Sequence, residues 1–208
     1  MLASVEQLRL VGPARIGRII RRIRQYGVFG HLLGLWLRPQ FQRAGVLLVR
    51  GGLPLPVIDN RGGRIELGNC ALFSGVRLEC WDGAHIRIGT GTYLNRGVEI
   101  VAAGSVTIGR DCKIARDVII MDTDQHPLPH GELVVRPVTV GDRVWIGARA
   151  MILKGVDIGH DSVIGAGAIV TRSVPPHSTV VGTAARVLRT HSAATDSRNH
   201  VSTLLQSS

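Results

Sequence analysis

Hydrophobic positions recur every sixth residue through the second half of the chain. From Val140 the sequence reads VGDRVW, IGARAM, ILKGVD, IGHDSV, IGAGAI and VTRSVP. Val140, Ile146, Ile152, Ile158, Ile164 and Val170 thus head consecutive hexads, and glycine follows at 141, 147, 159 and 165. A helical period does not keep branched aliphatic residues at every sixth place. A small residue behind each of them lets the chain turn tightly while the aliphatic side chain points inward.

The same frame appears upstream. IGTGTY, LNRGVE and IVAAGS start at Ile88, Leu94 and Ile100, and after a two-residue slip IGRDCK, IARDVI and IMDTDQ start at Ile108, Ile114 and Ile120. Looser fragments, LGNCAL and FSGVRL, lie within residues 58–80. Three hexads make one triangular coil of about 18 residues, and stacked coils of short parallel strands form an all-β solenoid, a parallel β-helix. The pattern predicts this fold over residues 51–189, a helical segment over 1–50 and a flexible tail, rich in Ser, Thr and His, over 190–208.

The frame breaks between Ile120 and Val140, which stand 20 residues apart where a coil takes 18; the intervening MDTDQHPLPHGELVVRP is polar. A loop thrown out of a rigid coil places side chains over a cleft. This one holds Asp122, Asp124, His126 and His130. Histidine titrates near neutrality and suits removal of a hydroxyl proton. On spacing alone, however, the favoured reading of His126 is a polar loop residue without a role.

The N-terminal segment has a different pattern. Ile16, Ile19, Ile20 and Ile23 fall at i, i+3, i+4 and i+7 among Arg15, Arg18, Arg21, Arg22 and Arg24, an amphipathic basic helix. Residues 28–37, VFGHLLGLWL, follow it; ten residues are too few to span a bilayer but enough to lie in its interface, with Trp36 at headgroup level. Residues 1–50 carry nine Arg and one acid, Glu6, so +8 of the net +10 resides there. Two readings stay open: attachment to an anionic membrane, or a helix capping the open end of the β-helix with its arginines in water. Aromatic residues are too sparse among these arginines to favour nucleic acid.

Composition narrows the class. Apolar residues are 45 % of the chain and aromatics only 4 %, as expected of many similar aliphatic layers. No apolar run has the length of a spanning helix. Three cysteines, Cys70, Cys80 and Cys112, make no CxxC pair and no even set, which favours a reducing compartment and small apolar packing roles. With no cleavable leader evident, the expected location is the cytoplasm, or the inner face of the membrane on the first reading of residues 1–50.

The hexads, and above all VWIGARAMILKGVDIGHDSVIGAGAIVTRSVPPHSTVVGTAARVLR (144–189), resemble the hexapeptide-repeat acyltransferases, most closely the galactoside, maltose and polysaccharide O-acetyltransferases. The resemblance covers about residues 60–190. It implies a left-handed coil, acetyl-CoA as co-substrate with no metal required, and a homotrimer with active sites between subunits. It also implies His126 as general base, with His130 as second choice, and Asn95 of TYLNRG holding the acceptor hydroxyl; Asn95 alone is also an ordinary turn residue. Asp122 or Asp124 would orient the imidazole, although loop acids are commonly just solvated.

The same resemblance makes the Ala148 amide the oxyanion donor, where many relatives carry serine. Trp145, Ala148, Ala166 and Thr171 would line the pantetheine arm, and Arg186 and Arg189 would meet the nucleotide phosphates. The proline usual before those arginines is replaced in TAAR. The implied activity is direct transfer of acetyl to a sugar hydroxyl on a glycan, glycolipid or glycoside. Two other classes share the fold: a γ-carbonic-anhydrase-like metal hydratase, with His85, His126 and His130 as its ligands, and a non-catalytic scaffold subunit.

Overall fold

A computed structural model describes residues 30–50, 53–127 and 131–190. The basic helix expected around residues 15–24, His130, and the tail after residue 190 lie outside them. The described chain winds into three sheets of six, eight and six strands. The first sheet runs through Arg43–Ala44, Arg64–Leu67, His85–Ile88, Ser105–Ile108, Val138–Val140 and Asp157–Ile158. The second runs from Leu47–Arg50 through Cys70–Phe73, Tyr93–Leu94, Lys113–Ile114, Trp145–Ile146 and Val163–Ile164 to Ser178–Val181. The third runs through Val57–Asn60, Arg77–Cys80, Glu99–Ala102, Ile119–Met121, Met151–Ile152 and Ile169–Val170. These pairings are all parallel; a final strand, Arg186–Thr190, adds to the second sheet antiparallel to Ser178–Val181. The first coil begins at Arg43, inside the segment expected to be helical, because residues 43–50 continue the aliphatic ladder.

Register explains why every sixth residue is aliphatic. Ile88, Ile108, Val140 and Ile158 stack in one column. Leu94, Ile114, Ile146 and Ile164 stack in a second, and Ile100, Ile120, Ile152 and Val170 in a third. All twelve are buried. Each such side chain removed from water contributes roughly 1.5–3 kcal/mol. The columns supply the core without aromatic anchors.

The glycines behind these residues have a different cause from the one expected. Gly141 and Gly147 are not the tight-turn positions. The left-handed backbone falls two residues later, on Arg143 (φ 57°) and Arg149 (φ 60°). Gly141 and Gly147 are required because the next coil stacks directly on them. A Cβ there would stand 2.6 Å from the backbone nitrogen of His160 or Ala166.

At the N-terminal end, residues 30–37 are helical and lead into a single 3-10 turn, Arg38–Gln40. A Cβ on Gly30 or Gly34 would collide with the carbonyl oxygens of Val49 and Leu47, so the helix lies directly on the edge strand of the second sheet. Leu37 and Phe41 are buried in the core, and Leu33 packs against it. A strand edge that would otherwise be open to pairing is thereby covered.

Candidate active site

The polar break in the hexad frame is a loop between the third and first sheets. Sixteen residues, 122–137, join Met121 to Val138, where the other described corners at this edge use two to four. Its neck is closed by an antiparallel bridge between Thr123 and Val135 and by the Arg136 N–H donating to the Asp122 carbonyl at 2.9 Å. Asp122 itself is fully buried. Its two carboxylate oxygens accept the N–H groups of Ala103 and Gly104, each at 2.8 Å, which ties the loop to the preceding coil. Asp124 is ion-paired with Lys154 of the following coil. The Gln125 N–H donates to the Thr123 hydroxyl at 3.0 Å, with Gln125 in the left-handed region.

His126 follows this anchored turn and is exposed. Among the described residues neither Asp122 nor Asp124 bonds to it; each acid is committed elsewhere. The loop acids hold the neck, and the exposed imidazole has no hydrogen-bond partner among the described residues. Sequence reasoning missed Lys154, whose partner lies 30 residues away across the insertion.

Most of the remaining candidates collect on another part of the prism. Trp145 is in register with Val163, Val163 with Thr179, and Thr179 with Arg189. All four belong to one row on the second sheet, which at ordinary strand spacing puts Trp145 and Arg189 about 14 Å apart. Arg186 faces Val181 on the same final strand. The corner after the second sheet carries Ala148 and, one coil on, Ala166; Asn95 occupies this corner two coils before Ala148. The Asn95 side-chain oxygen accepts the Arg96 N–H at 2.7 Å.

The Ala148 carbonyl accepts the Gly167 N–H at 2.8 Å, while the Ala148 N–H has no acceptor among the described residues. That leaves a backbone donor available at a site whose side chain is a single methyl. Arg116 and Ala166, at matching corners, share the property, so it defines an edge and not one atom.

Thr171 departs from this group. It is exposed at the corner between the third and first sheets, the edge from which the 122–137 loop emerges. Within one chain the candidates therefore divide. Asp122, Asp124, His126 and Thr171 belong to one edge. Asn95, Trp145, Ala148, Ala166, Arg186 and Arg189 belong to the second sheet and its following corner.

Of the histidines proposed as metal ligands, His130 lies outside the described residues, and among the described residues neither His85 nor His126 belongs to a cluster of three or more metal-ligating side chains. His85 opens a first-sheet strand with Nε2 3.6 Å from a Glu66 carboxylate oxygen. A different cluster occurs at the corner between the first and second sheets: His160 Nδ1 lies 2.7 Å from Asp161, and the His160 and His177 rings meet edge-on at 4.8 Å. Asp161 is already engaged at both oxygens by the Arg143 guanidinium, each at 2.7 Å. That fork, and next the His160 hydrogen bond, hold the Asp161 carboxyl well below the usual carboxylate range. The cluster is a polar edge ladder dominated by an ion pair. Arg143 and Asp161 stand one coil apart in the hexad frame, a signal the sequence already contained.

Residues 137–172 match the family model for the hexapeptide repeat of succinyl-transferase. The galactoside O-acetyltransferase of Escherichia coli K12 is 43 % identical over 112 residues, 51 % of this chain and 55 % of that protein. The putative lipopolysaccharide biosynthesis O-acetyltransferase WbbJ of the same organism is 30 % identical over 148 residues, 64 % of this chain and 76 % of that protein. The chain belongs to the hexapeptide-repeat acetyltransferases. Among solved structures, a galactoside acetyltransferase in complex with coenzyme A superposes with a TM-score of 0.51 at 27 % identity, covering 82 % of this chain and 90 % of that one. In sequence, the chain spans about half the length of the galactoside O-acetyltransferase it matches.

Proposed function

We propose that this acetyltransferase moves an acetyl group from acetyl-CoA to a sugar hydroxyl, with His126 as general base. The division of the candidate residues between two edges carries the reading. A base on one edge and a row of Trp145, Thr179 and Arg189 on another form a complete site only when a second copy is placed alongside. The active unit is therefore a homo-oligomer, a trimer by the family's pattern, with each site shared between neighbours.

In that site the acceptor hydroxyl gives its proton to His126 as its oxygen bonds to the thioester carbonyl carbon. Negative charge developing on the carbonyl oxygen is met by the Ala148 N–H. Collapse breaks the carbon–sulfur bond, and the departing thiolate takes the proton from the imidazolium. Small side chains at Ala148 and Ala166 leave room for the pantetheine arm, Trp145 offers it a flat apolar wall, and Arg186 and Arg189 meet phosphates. The acceptor class is a glycan, glycolipid or small glycoside.

The test is calorimetric titration of acetyl-CoA into wild type and His126→Ala, followed by thiol release with a panel of sugars. The expected result is equal binding by both proteins and a turnover about 10²–10⁴-fold lower in the variant. Absence of coenzyme A binding by a well-folded oligomer, or full turnover by His126→Ala, would overturn the reading.

A further inference from the structure

The helix at residues 30–37 has two faces, and only one of them is used. Gly30, Gly34 and Leu37 press onto the first coil. Leu32, Leu35 and Trp36, at i, i+3 and i+4, form the opposite stripe and are 57 %, 60 % and 66 % exposed. A surface of large apolar side chains on a helix otherwise packed through glycine marks an interaction site.

Its surroundings identify the partner. Beside Leu35 a groove of about 640 Å³ runs over Phe41 and Leu67, with Arg38 and Arg43 also among the residues that line it. Residues 7–58 contain no Asp or Glu, so no acid of this stretch neutralises those arginines. The acid opposite Arg43 is Glu66, which is already held by Arg64 at 2.9 Å. A protein partner would have to match an apolar stripe flanked by arginines, of which Arg43 shares its one neighbouring acid, Glu66, with Arg64. A bilayer with anionic headgroups supplies both parts at once: an apolar boundary for the leucines and a negative surface for the guanidinium groups. A tryptophan between them suits the headgroup level. Among the described residues no helix is long and apolar enough to cross a membrane, so contact through this stripe is interfacial.

We infer that Leu32, Leu35 and Trp36, flanked by Arg38 and Arg43, dock this enzyme on an anionic lipid surface. Docking does not depend on the proposed chemistry, and the experiment reads it separately. Full-length protein is sedimented with phosphatidylcholine vesicles, with and without phosphatidylglycerol, at low and high salt. Binding is expected only with phosphatidylglycerol, weakening as salt rises. Leu35→Ser with Trp36→Ser lowers the partition coefficient about tenfold or more, from the apolar area no longer buried. Arg38→Gln with Arg43→Gln lowers it about thirtyfold, at roughly 1 kcal/mol for each charge. Both variants are at exposed positions and keep the wild-type melting temperature and oligomeric mass. Three outcomes overturn the inference: no vesicle binding, binding unchanged in both variants, or a changed oligomeric mass in the apolar variant, which would make the stripe a contact between copies of this chain.

Discussion

Asp122→Ala separates two roles for a loop acid. As an orienter of His126, its carboxylate would govern the protonation and tautomer of the base. As a latch, it governs whether the loop neck stays on the coil. The geometry is that of a latch, with a fully buried carboxylate accepting two backbone N–H groups at 2.8 Å. Hydrogen bonds to a charged acceptor contribute about 1.5–3 kcal/mol each, and the two donors share one side chain, so about 3 kcal/mol is the expected loss. For a chain of this length that corresponds to a melting temperature lower by about 6–12 °C. Turnover falls as well, because His126 is carried four residues beyond the latch. The pH dependence of the remaining turnover keeps its midpoint, since no contact to the imidazole has been removed. Gly104→Ala gives a smaller loss of the same kind, as its Cβ would stand 2.8 Å from Val135 and 3.3 Å from an Asp122 oxygen. Differential scanning calorimetry and pH–rate profiles make the measurement. An unchanged melting temperature with a displaced pH midpoint would refute the latch.

Three further outcomes follow from the structure. Mixing inactive His126→Ala with inactive Trp145→Ala, after dissociation and reassembly, restores part of the thiol-release activity if the base and the row come from different copies, and none if one copy supplies both. Arg143→Gln removes the fork on Asp161; the depressed carboxyl contributes stability that is complete above the ordinary carboxylate range and is lost as pH falls through its lowered value. The variant should therefore melt about 2–4 °C below wild type at neutral pH, for at most about 1 kcal/mol at so exposed a pair, with the gap closing in strong acid and in high salt. Burial pushes the Cys70 thiol up to about 12, and Cys80 and Cys112 are raised by the same cause. Thiol titration with a disulfide reagent should find all three silent in the native protein and reactive only after denaturation.

The solenoid was legible because its core repeats one local decision. Ile88, Ile108 and Val140 need only be aliphatic and in phase for the coils to stack, and that phase is written along the chain. The early coils were harder to read because corners such as Trp81–Ala84 lengthen the spacing between strands, and the start at Arg43 was hidden behind arginines and a short helix. The insertion was visible as a break, but its organisation was not. Asp122 finds its partners at 103–104 and Asp124 finds Lys154, pairings set by which coil lies above and below and not by neighbours in sequence. Trp145 and Arg189 could be singled out separately, yet their shared row depends on the final strand reversing direction. The glycines were found for an incomplete reason: stacking distance, not backbone conformation, selects them at 141 and 147.

The row from Trp145 through Val163 and Thr179 to Arg189 also acts as a ruler. Its marks are strands, so the distance between an aromatic wall and a terminal cation changes only in steps of about 4.8 Å. Inserting one whole coil between them would lengthen the gauge by one mark and leave the aliphatic columns in phase. Inserting one residue would turn a strand's inward side chains outward and cost the core before it altered the gauge. Variation in the length of what lies along this face is thus digital. Relatives that accommodate a longer or shorter ligand here are expected to differ by entire coils, whereas changes of chemistry at fixed length are free to occur residue by residue along the row.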